Sequence, residues 1–402
     1  MPQLSELSGQ MPASPIRKLV PYADEAKKRG IKVYHLNIGQ PDIKTPENVL
    51  NKLRHLDSDI IPYTKSQGTD SYREKLAEYY RKNGIDVSAN DIIITTGGSE
   101  ALLFTVGSIA NPGDEIIIPE PYYANYNSFV TLFKVKVVPV QSKIENNFSL
   151  PPMEELEKFI TPRTKAILYS NPSNPTGYVY TEEEIRKLRD LALKHDIFII
   201  ADEVYREFIY DNASHHSILH KEEMEQNGII VDSVSKRYSM CGARIGAVIS
   251  KNKAFMQSVL KFAQARLSPP ALGQIASEEA LNTPQDYFDE VIAEYDLRRK
   301  TLIEGLQKIP GIKIGYPRGA FYLMAELPVD DADQFAKWML AEFNDNNETV
   351  MVAPASGFYS DPVLGRKQVR IAYVLNVEDL KRSVEILQKA LETYNRKPTF
   401  RK

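Results

Sequence analysis

The 402-residue sequence predicts an α/β fold in which short buried strands alternate with helices. Two observations support this prediction. Between about residues 90 and 285, short apolar runs such as 92–95 and 197–201 lead into polar loops and then into segments with helical periodicity. After about residue 285 the alternation fades into a long helix, strand-like runs at 319–323 and 369–373, and a final helix, which together indicate an α+β unit.

The composition narrows the class of protein. A chain of 402 residues, 43% of them apolar, can bury a sizeable core in about two or three domains. The formal charge of −3 gives no reason to expect binding to nucleic acid or to an anionic membrane surface. No apolar run approaches the ~20 residues of a membrane span, and residues 1–21 lack the layout of a secretion signal. We therefore expect a soluble cytoplasmic protein.

The cysteine and histidine content argues against a metal centre. Cys241 is the single cysteine, so an intramolecular disulfide or a cysteine cluster is impossible, and we expect its side chain to be packed. Of the six histidines, only His216 and His220 have His-x-x-x-His spacing, and the residues between them lack the glutamate of the zinc motif His-Glu-x-x-His. The sequence therefore predicts no metal ligands.

The first 90 residues contain two candidate site residues in loops. Residues 23–30 are expected to be helical and residues 33–38 to form a strand, after which Gly39 begins a turn. Gly39 could let a ligand approach the backbone, or it could be an ordinary turn glycine. Tyr63 lies in a loop ahead of a helix over 70–83, and local sequence favours a packed or surface aromatic there.

A glycine-rich turn follows the strand at 92–95. Gly98 and Ser99 stand where this strand should give way to a helix. Free backbone N–H groups and the helix dipole both favour an anion at such a turn, so a phosphate could bind there. The spacing fits neither G-x-x-x-x-G-K-[ST] nor G-x-G-x-x-G, which argues against the common nucleotide-binding loops.

Polar side chains follow three more predicted strands. Tyr123 lies in a tyrosine-rich segment that could cover a flat ring or simply pack. Asn174 lies in the rigid loop Asn-Pro-Ser-Asn-Pro-Thr-Gly, where α/β sheets place ligand groups. Asp202 and Tyr205 follow a wholly apolar strand. Asp202 could hold a cationic ring nitrogen, or it could form a structural salt bridge or helix cap.

A lysine stands between two further apolar strands. Ser233, Ser235, Lys236 and Arg244 all lie between the runs at 228–231 and 247–249. An ammonium group at the end of a buried strand is costly unless it is paired or neutralised. Covalent use as a Schiff base with an aldehyde cofactor would remove that cost. The arginine and the serines indicate an anion nearby, such as a phosphate. Arg370, within the strand-like run near the C-terminus, is either a bidentate carboxylate binder or part of a structural ion pair.

The order of these motifs resembles one family over almost the whole chain. Gly-Gly-Ser, paired tyrosines, Asn-Pro-x-Asn-Pro-Thr-Gly, Asp-x-x-Tyr, Ser-x-Ser-Lys, Gly-x-Arg-x-Gly and a late arginine on a strand succeed one another. This order is similar to that of the class I/II pyridoxal-phosphate aminotransferases of fold type I, and most to aspartate aminotransferase-like members. The resemblance implies a large cofactor-binding domain over 46–285 with a mostly parallel seven-stranded sheet. It also implies a small substrate-closing α+β domain from 1–45 and 286–402.

The resemblance implies roles for the residues around the cofactor ring. Lys236 would form the internal Schiff base with pyridoxal 5′-phosphate and later move the substrate's α-proton. Asp202 would keep the pyridine nitrogen protonated, so that the ring acts as an electron sink. Tyr205 and Asn174 would contact the ring's phenolic oxygen, and Tyr123 would stack on the ring.

The remaining roles concern the phosphate, the substrate and a second subunit. The phosphate group would be bound by residues from two loops, namely Gly98, Ser99, Ser233, Ser235 and Arg244. Arg370 would bind the substrate α-carboxylate in a two-pronged salt bridge, with Gly39 and Asn174 beside it. Tyr63 would reach the phosphate of the neighbouring subunit, which implies a homodimer with shared active sites. Ile16 and Arg17 are candidate lid residues.

The expected reaction is transfer of an amino group from an L-amino acid to 2-oxoglutarate by a ping-pong mechanism. Aspartate is the leading donor by resemblance alone, because dicarboxylate users need a second cationic group and the sequence does not reveal one. One branch of the family has a lysine where this chain has Ser99. Aromatic or small neutral amino acids, β-elimination from a sulfur amino acid on the same scaffold, and a non-catalytic binding protein are the alternatives.

Overall fold

Strands and helices alternate along most of the chain. The computed structural model describes residues 2–56, 59–220 and 222–396. The α-helices within these ranges are α1 Glu6–Gln10, α2 Val20–Lys28, α3 Glu47–Arg54, α4 Asp70–Lys82, α5 Gly97–Ile109, α6 Tyr126–Leu132, α7 Met153–Glu157, α8 Glu182–His195, α9 Val234–Arg237, α10 Lys253–Arg266, α11 Ala271–Ala280, α12 Gln285–Leu306, α13 Ala332–Ala341 and α14 Val377–Arg396. The strands are β1 Lys32–His35, β2 Ile92–Thr95, β3 Glu115–Glu120, β4 Lys136–Gln141, β5 Thr164–Ser170, β6 Phe198–Asp202, β7 Gly228–Ser233, β8 Gly246–Ile249, β9 Lys313–Ile314, β10 Tyr322–Glu326, β11 Glu348–Met351, β12 Ala353–Pro354 and β13 Gln368–Ala372.

The central element is a seven-stranded sheet in the order β2-β8-β7-β6-β5-β3-β4. Its strands are parallel except β8, which runs antiparallel to both of its neighbours. The predicted α/β class with a mostly parallel seven-stranded sheet is therefore confirmed. Asp202 pairs with Ser170 on one side and with Val231 on the other, so β5, β6 and β7 end at nearly the same level. Ligand sites in α/β sheets form beyond such carboxyl ends.

Both faces of this sheet are buried, which explains its unbroken apolar strands. Alternate residues of a strand enter two different cores, as period-2 geometry requires. Ile199 lies in the core that α4 and α8 cover, whereas Ile200 lies in the core that α5 and α10 cover. Helix α8 begins with a capping box, because the side chains of Thr181 and Glu184 each accept a hydrogen bond from the other residue's backbone N–H.

The N-terminal and C-terminal segments build a third core. Strand β1 pairs in parallel with β11, and the antiparallel strands β12, β13, β10 and β9 form a four-stranded sheet. Helices α12, α13 and α14 pack on these strands through residues such as Leu302, Phe335 and Leu387. This arrangement is the α+β unit that the sequence predicts. Among the helices of the described residues, none is long and apolar enough to cross a membrane.

Three element boundaries differ from the prediction. Strand β10 begins at Tyr322 rather than at residue 319, because Ala320 has a positive φ of 55° that no strand accommodates. Strand β1 ends at His35, so Asn37 and Ile38 already belong to the loop that leads to Gly39. Lys236 does not end a strand; it lies in the short helix α9 that follows β7.

Candidate active site

A cavity of about 450 Å³ lies at the carboxyl ends of β5, β6 and β7. It is closed from the other side by residues of the N-terminal segment and of the four-stranded sheet. The structure brings together every candidate site residue from the sequence except Tyr63. The residues from that set that line the cavity are Gly39, Gly98, Ser99, Tyr123, Asn174, Asp202, Tyr205, Ser233, Ser235, Lys236, Arg244 and Arg370.

Lys236 presents its amine to this cavity from helix α9. Ser233, the last residue of β7, caps the helix by accepting a hydrogen bond of 3.2 Å from the N–H of Ser235. The Nζ of Lys236 donates to the carbonyl of Gly39 at 2.7 Å. Within the described parts of the chain this amine forms no ion pair. A half-buried lysine with one neutral partner is available for chemistry on a ligand.

The packing around position 39 requires a glycine. A side chain there would overlap the phenol of Tyr322, so only glycine allows the loop to pass. The loop is fixed next to β13, because the N–H of Ala372 donates to the carbonyl of Leu36 at 2.8 Å. As a result the carbonyls of Asn37 and Gly39 reach the two cations Arg370 and Lys236.

One end of the cavity has the features of a phosphate site. Helix α5 begins at Gly97, whose φ of +75° turns the chain from β2 into the helix, and Gly98 and Ser99 form its first turn. Arg244 lies against Gly97, where any side chain would overlap the guanidinium group. The hydroxyls of Ser233 and Ser235 are 2.8 Å apart. A helix N-terminus, hydroxyls and an arginine without an ion pair among the described residues form a suitable anion site.

Asp202 is a buried acid whose hydrogen bonds come from neutral donors. Tyr126 donates its hydroxyl to Oδ2 at 2.7 Å, and the N–H of Val204 lies 3.4 Å from Oδ1. No cationic side chain of the described residues pairs with the carboxylate. Burial raises the pKa of Asp202 from 3.8 to about 6, although these two hydrogen bonds oppose the shift. A cationic ring nitrogen in the cavity would supply the missing charge.

We expect Asp202→Asn to stabilise the cofactor-free protein at neutral pH. Between about pH 4 and pH 6 the folded protein holds a proton on Asp202 that the unfolded chain has released, so the free energy of unfolding falls as pH rises. Above about pH 6 the full cost of about 3 kcal/mol is present. Thermal unfolding of the parent and of Asp202→Asn across pH 4 to 8 measures the difference between their free energies of unfolding, which should vanish near pH 4. With pyridoxal phosphate bound the order should reverse, and a variant that is less stable without cofactor at pH 7.5 would contradict the account.

Arg370 is the most unusual charge in the cavity, because it is fully buried without a carboxylate partner among the described residues. It projects from β13, and its Nη1 donates to Oδ1 of Asn174 at 2.9 Å. Nη2 donates to the carbonyl of Asn37 at 2.6 Å, and Nε has no partner in the structure. A buried guanidinium group held only by neutral acceptors is costly until an anion binds. Its planar fork matches a carboxylate.

Tyr322 belongs to this site and was not identified from the sequence. Its hydroxyl lies 2.9 Å from that of Tyr205, and its ring lies 4.4 Å from the guanidinium carbon of Arg370. Strand β10 pairs Met324 with Arg370 in antiparallel register. Tyr322 therefore shares a sheet face with Arg370, and this period-2 relation is the signal that could have identified it.

Tyr63 is the candidate residue that the structure leaves outside the cavity. Its side chain is 80% exposed in the loop before α4. A role at the active site of its own chain therefore has no support in this geometry.

Comparison with known proteins identifies the class to which this fold and site belong. The family model of the class I and II aminotransferases matches residues 31–387. The chain belongs to this family, which uses pyridoxal 5′-phosphate, and it is an aminotransferase. The family that the sequence resembles and the cofactor that it implies are thus confirmed.

Individual relatives differ in the amino acid in their names. The chain is 33% identical over 374 residues to aspartate aminotransferase of Bacillus sp. (strain YM-2), covering 90% of this chain and 92% of the relative. It is 31% identical over 398 residues to aromatic-amino-acid aminotransferase 2 of Thermococcus litoralis, covering 97% and 98%. Among solved structures, Thermus thermophilus aspartate aminotransferase with maleate superposes with a TM-score of 0.89 at 30% identity, covering 97% of this chain and 100% of the other. Alanine aminotransferase from Pyrococcus furiosus has the same TM-score at 28% identity and the same coverage.

The residues present fit pyridoxal phosphate. The cavity contains a buried carboxylate at Asp202 that has no cationic partner among the described residues, an accessible amine at Lys236 and an anion-binding turn with Arg244. The carboxylate matches the charge of the cofactor's ring nitrogen, the amine can react with its aldehyde, and the turn matches the charge of its phosphate. Arg370 then remains for a substrate carboxylate.

Proposed function

We propose that this aminotransferase moves the amino group of an L-amino acid, preferably aspartate, to 2-oxoglutarate in two half-reactions at this cavity. The observation that carries the proposal is Arg370, a buried guanidinium group that has no carboxylate partner among the described residues and lines the same cavity as Lys236. An α-carboxylate bound by Arg370 would present the neighbouring Cα–H bond to that amine. The preference for aspartate is supported by relatives named aspartate aminotransferase at 33% and 32% identity.

The cofactor would be held by residues from four segments. Asp202 would pair with the ring nitrogen, Tyr205 and Asn174 would donate to the phenolic oxygen, and Tyr123 would cover the ring. Gly98, Ser99, Ser233, Ser235 and Arg244 would bind the phosphate. Lys236 would be the covalent anchor. When bound, the cofactor supplies an electron sink for the negative charge that develops at Cα.

The chain's own residues would orient the substrate and move its proton. Arg370 binds the carboxylate through its two terminal nitrogens, with Asn174 fixing the guanidinium plane. With the cofactor bound, Lys236 would take the proton from the substrate's Cα through Nζ. The carbonyl of Gly39, 2.7 Å from Nζ, holds the amine in place for this transfer.

A donor and acceptor panel tests the proposed reaction. Purified holoenzyme is assayed with aspartate, alanine, phenylalanine and a sulfur amino acid, each with and without 2-oxoglutarate. We expect conversion that depends strictly on the oxo acid and is fastest with aspartate. Pyruvate and ammonia formed from the sulfur amino acid without an oxo acid would instead establish β-elimination.

We further propose a homodimer in which Tyr63 completes the phosphate site of the partner. Ile60, Ile61 and Tyr63 are 73%, 60% and 80% exposed in the loop before α4. Ser66 of the same loop donates a hydrogen bond to the carbonyl of Leu267, whose side chain is also exposed. Adjacent exposed apolar side chains favour a protein interface.

We expect Tyr63→Phe to weaken pyridoxal phosphate binding about tenfold, as loss of one hydrogen bond to a charged group would. Tyr22→Phe is the control, because Tyr22 lies outside the cavity. Dimers mixed from Tyr63→Phe and Lys236→Ala chains should regain activity at limiting cofactor, because one site then has Lys236 together with an intact Tyr63 from the other chain. If mixing brings no gain over either variant alone, Tyr63 does not act across the interface.

The site also bears on domain organisation. We propose that residues 46–285 form the cofactor-binding domain and that 1–45 with 286–402 form a domain that closes over the substrate, carrying Ile16 and Arg17 as lid residues. The position of the cavity between β5–β7 and the four-stranded sheet supports this division. We also propose a cytoplasmic location, in keeping with one cysteine in 402 residues.

A further inference from the structure

The cavity has one more cation than the reaction centre requires. Its lining includes Arg17, Lys236, Arg244 and Arg370, against the single acid Asp202. In the proposed function, Lys236 serves the aldehyde, Arg244 the phosphate and Arg370 the α-carboxylate. Arg17 is left without a task.

The backbone around Arg17 is fixed by contacts on both sides. Pro15 packs on Gly357, where any side chain would overlap the proline ring. Lys18 forms an ion pair with Asp333 and donates to the hydroxyl of Ser356 at 3.3 Å. The N–H of Arg17 closes a turn by donating to the carbonyl of Ser14 at 3.2 Å. Arg17 therefore lines the cavity from a turn that contacts hold on both sides.

Arg17, Arg370 and Tyr123 all line the cavity. Burial raises the pKa of the Tyr123 phenol to about 12, and the positive charges of Arg370 and Arg17 both oppose this rise, so both act on one hydroxyl. Arg17 has no ion pair within the part of the chain that the structure describes. Its neighbour Lys18 forms an ion pair with Asp333, whereas Asp202 is the only acidic residue that lines the cavity within the described ranges.

We propose that Arg17 binds the side-chain carboxylate of dicarboxylic substrates and is the residue that selects them. This inference rests on the proposed aminotransfer at Arg370. Arginine's planar donors suit a second carboxylate, whereas a neutral or aromatic side chain would leave the guanidinium group unpaired as the cavity closes. The same contact serves aspartate and 2-oxoglutarate, because both carry a carboxylate at the end of the side chain. Arg17 would thus supply, from the N-terminal turn, the second cation that one branch of the family supplies with a lysine at the position of Ser99.

Two variants of the holoenzyme test this role, with Lys27→Gln as the control, because Lys27 is exposed on α2 and does not line the cavity. Arg17→Gln removes the charge, and Arg17→Lys keeps it without the planar fork. Single-turnover reactions with aspartate and with alanine separate the donor from the dicarboxylic acceptor. We expect Arg17→Gln to lower the ratio of kcat/KM for aspartate over alanine by about 10- to 100-fold, Arg17→Lys to lower it less, and Lys27→Gln to leave it unchanged.

Inhibitor binding decides the question independently of turnover. Maleate has two carboxylates and isovalerate has one, and both can be titrated against the cofactor's absorbance. Arg17→Gln should weaken maleate binding by a similar factor and change isovalerate binding much less. Equal losses for aspartate and alanine, or unchanged maleate affinity, would overturn the proposal. A wild-type enzyme that reacts with no amino acid would instead contradict the proposed function, and the maleate titration would still decide the role of Arg17.

Discussion

Replacing Lys236 by alanine is expected to lower kcat by about 10³-fold or more, because the variant lacks both the covalent anchor and the base at Cα. The fold should survive. The amine makes one hydrogen bond, to the Gly39 carbonyl, so its loss costs about 1 kcal/mol of stability. Steady-state turnover with aspartate and 2-oxoglutarate measures the first effect, and thermal unfolding measures the second.

Lys253→Ala provides the control for this variant, since Lys253 is an exposed lysine at the start of α10. Both variants should show the same far-ultraviolet circular dichroism as the parent. A Lys236→Ala protein that retained a tenth of the parent's turnover would show that another group removes the α-proton.

Arg370→Lys is expected to lower kcat/KM by about 100-fold for every amino acid donor, because the second prong of the carboxylate contact is lost. The loss should be equal for aspartate and alanine, because the two present the same α-carboxylate and differ only in their side chains. This result separates Arg370 from Arg17, whose replacement should change the ratio between the two donors. Stopped-flow half-reactions with each amino acid supply the rate constants.

Cofactor affinity is the internal control for Arg370. The phosphate end of the cavity is built from α5, Ser233 and Arg244, so pyridoxal phosphate should bind Arg370→Lys as it binds the parent. Arg366→Lys, on the loop before β13 and paired with Asp331, should leave both amino acid and cofactor binding unchanged. A variant that loses cofactor but not amino acid affinity would contradict the assignment.

The parts of the fold that follow local rules are predictable from the sequence. Residues 198–201 of β6 are apolar because both faces of the sheet are covered. The start of α8, the helix that precedes this strand in the chain, is marked by the capping box of Thr181 and Glu184. Asp202 could be placed at the end of a buried strand for the same reason. These features depend on residues close together in the chain.

Features that depend on contacts between residues far apart in the chain could not be predicted from local sequence patterns. The parallel pairing of β1 with β11 places His35 opposite Met351, and neither segment contains a local sequence pattern that predicts this pairing. The contribution of Arg17 to the cavity depends on Pro15 meeting Gly357. Tyr322 enters the site because β10 pairs with β13 in the register that places Met324 opposite Arg370. Each of these placements is set by tertiary packing, which local periodicity does not report.

The central claim is that Lys236, which lines the same cavity as Arg370, is the covalent anchor of pyridoxal phosphate. Reduction of the holoenzyme with borohydride, digestion and mass spectrometry locate the attachment most directly. We expect a pyridoxyl group on the peptide that contains Lys236 and on no other lysine. Attachment at a different lysine, or no covalently bound cofactor after reduction, would contradict the claim.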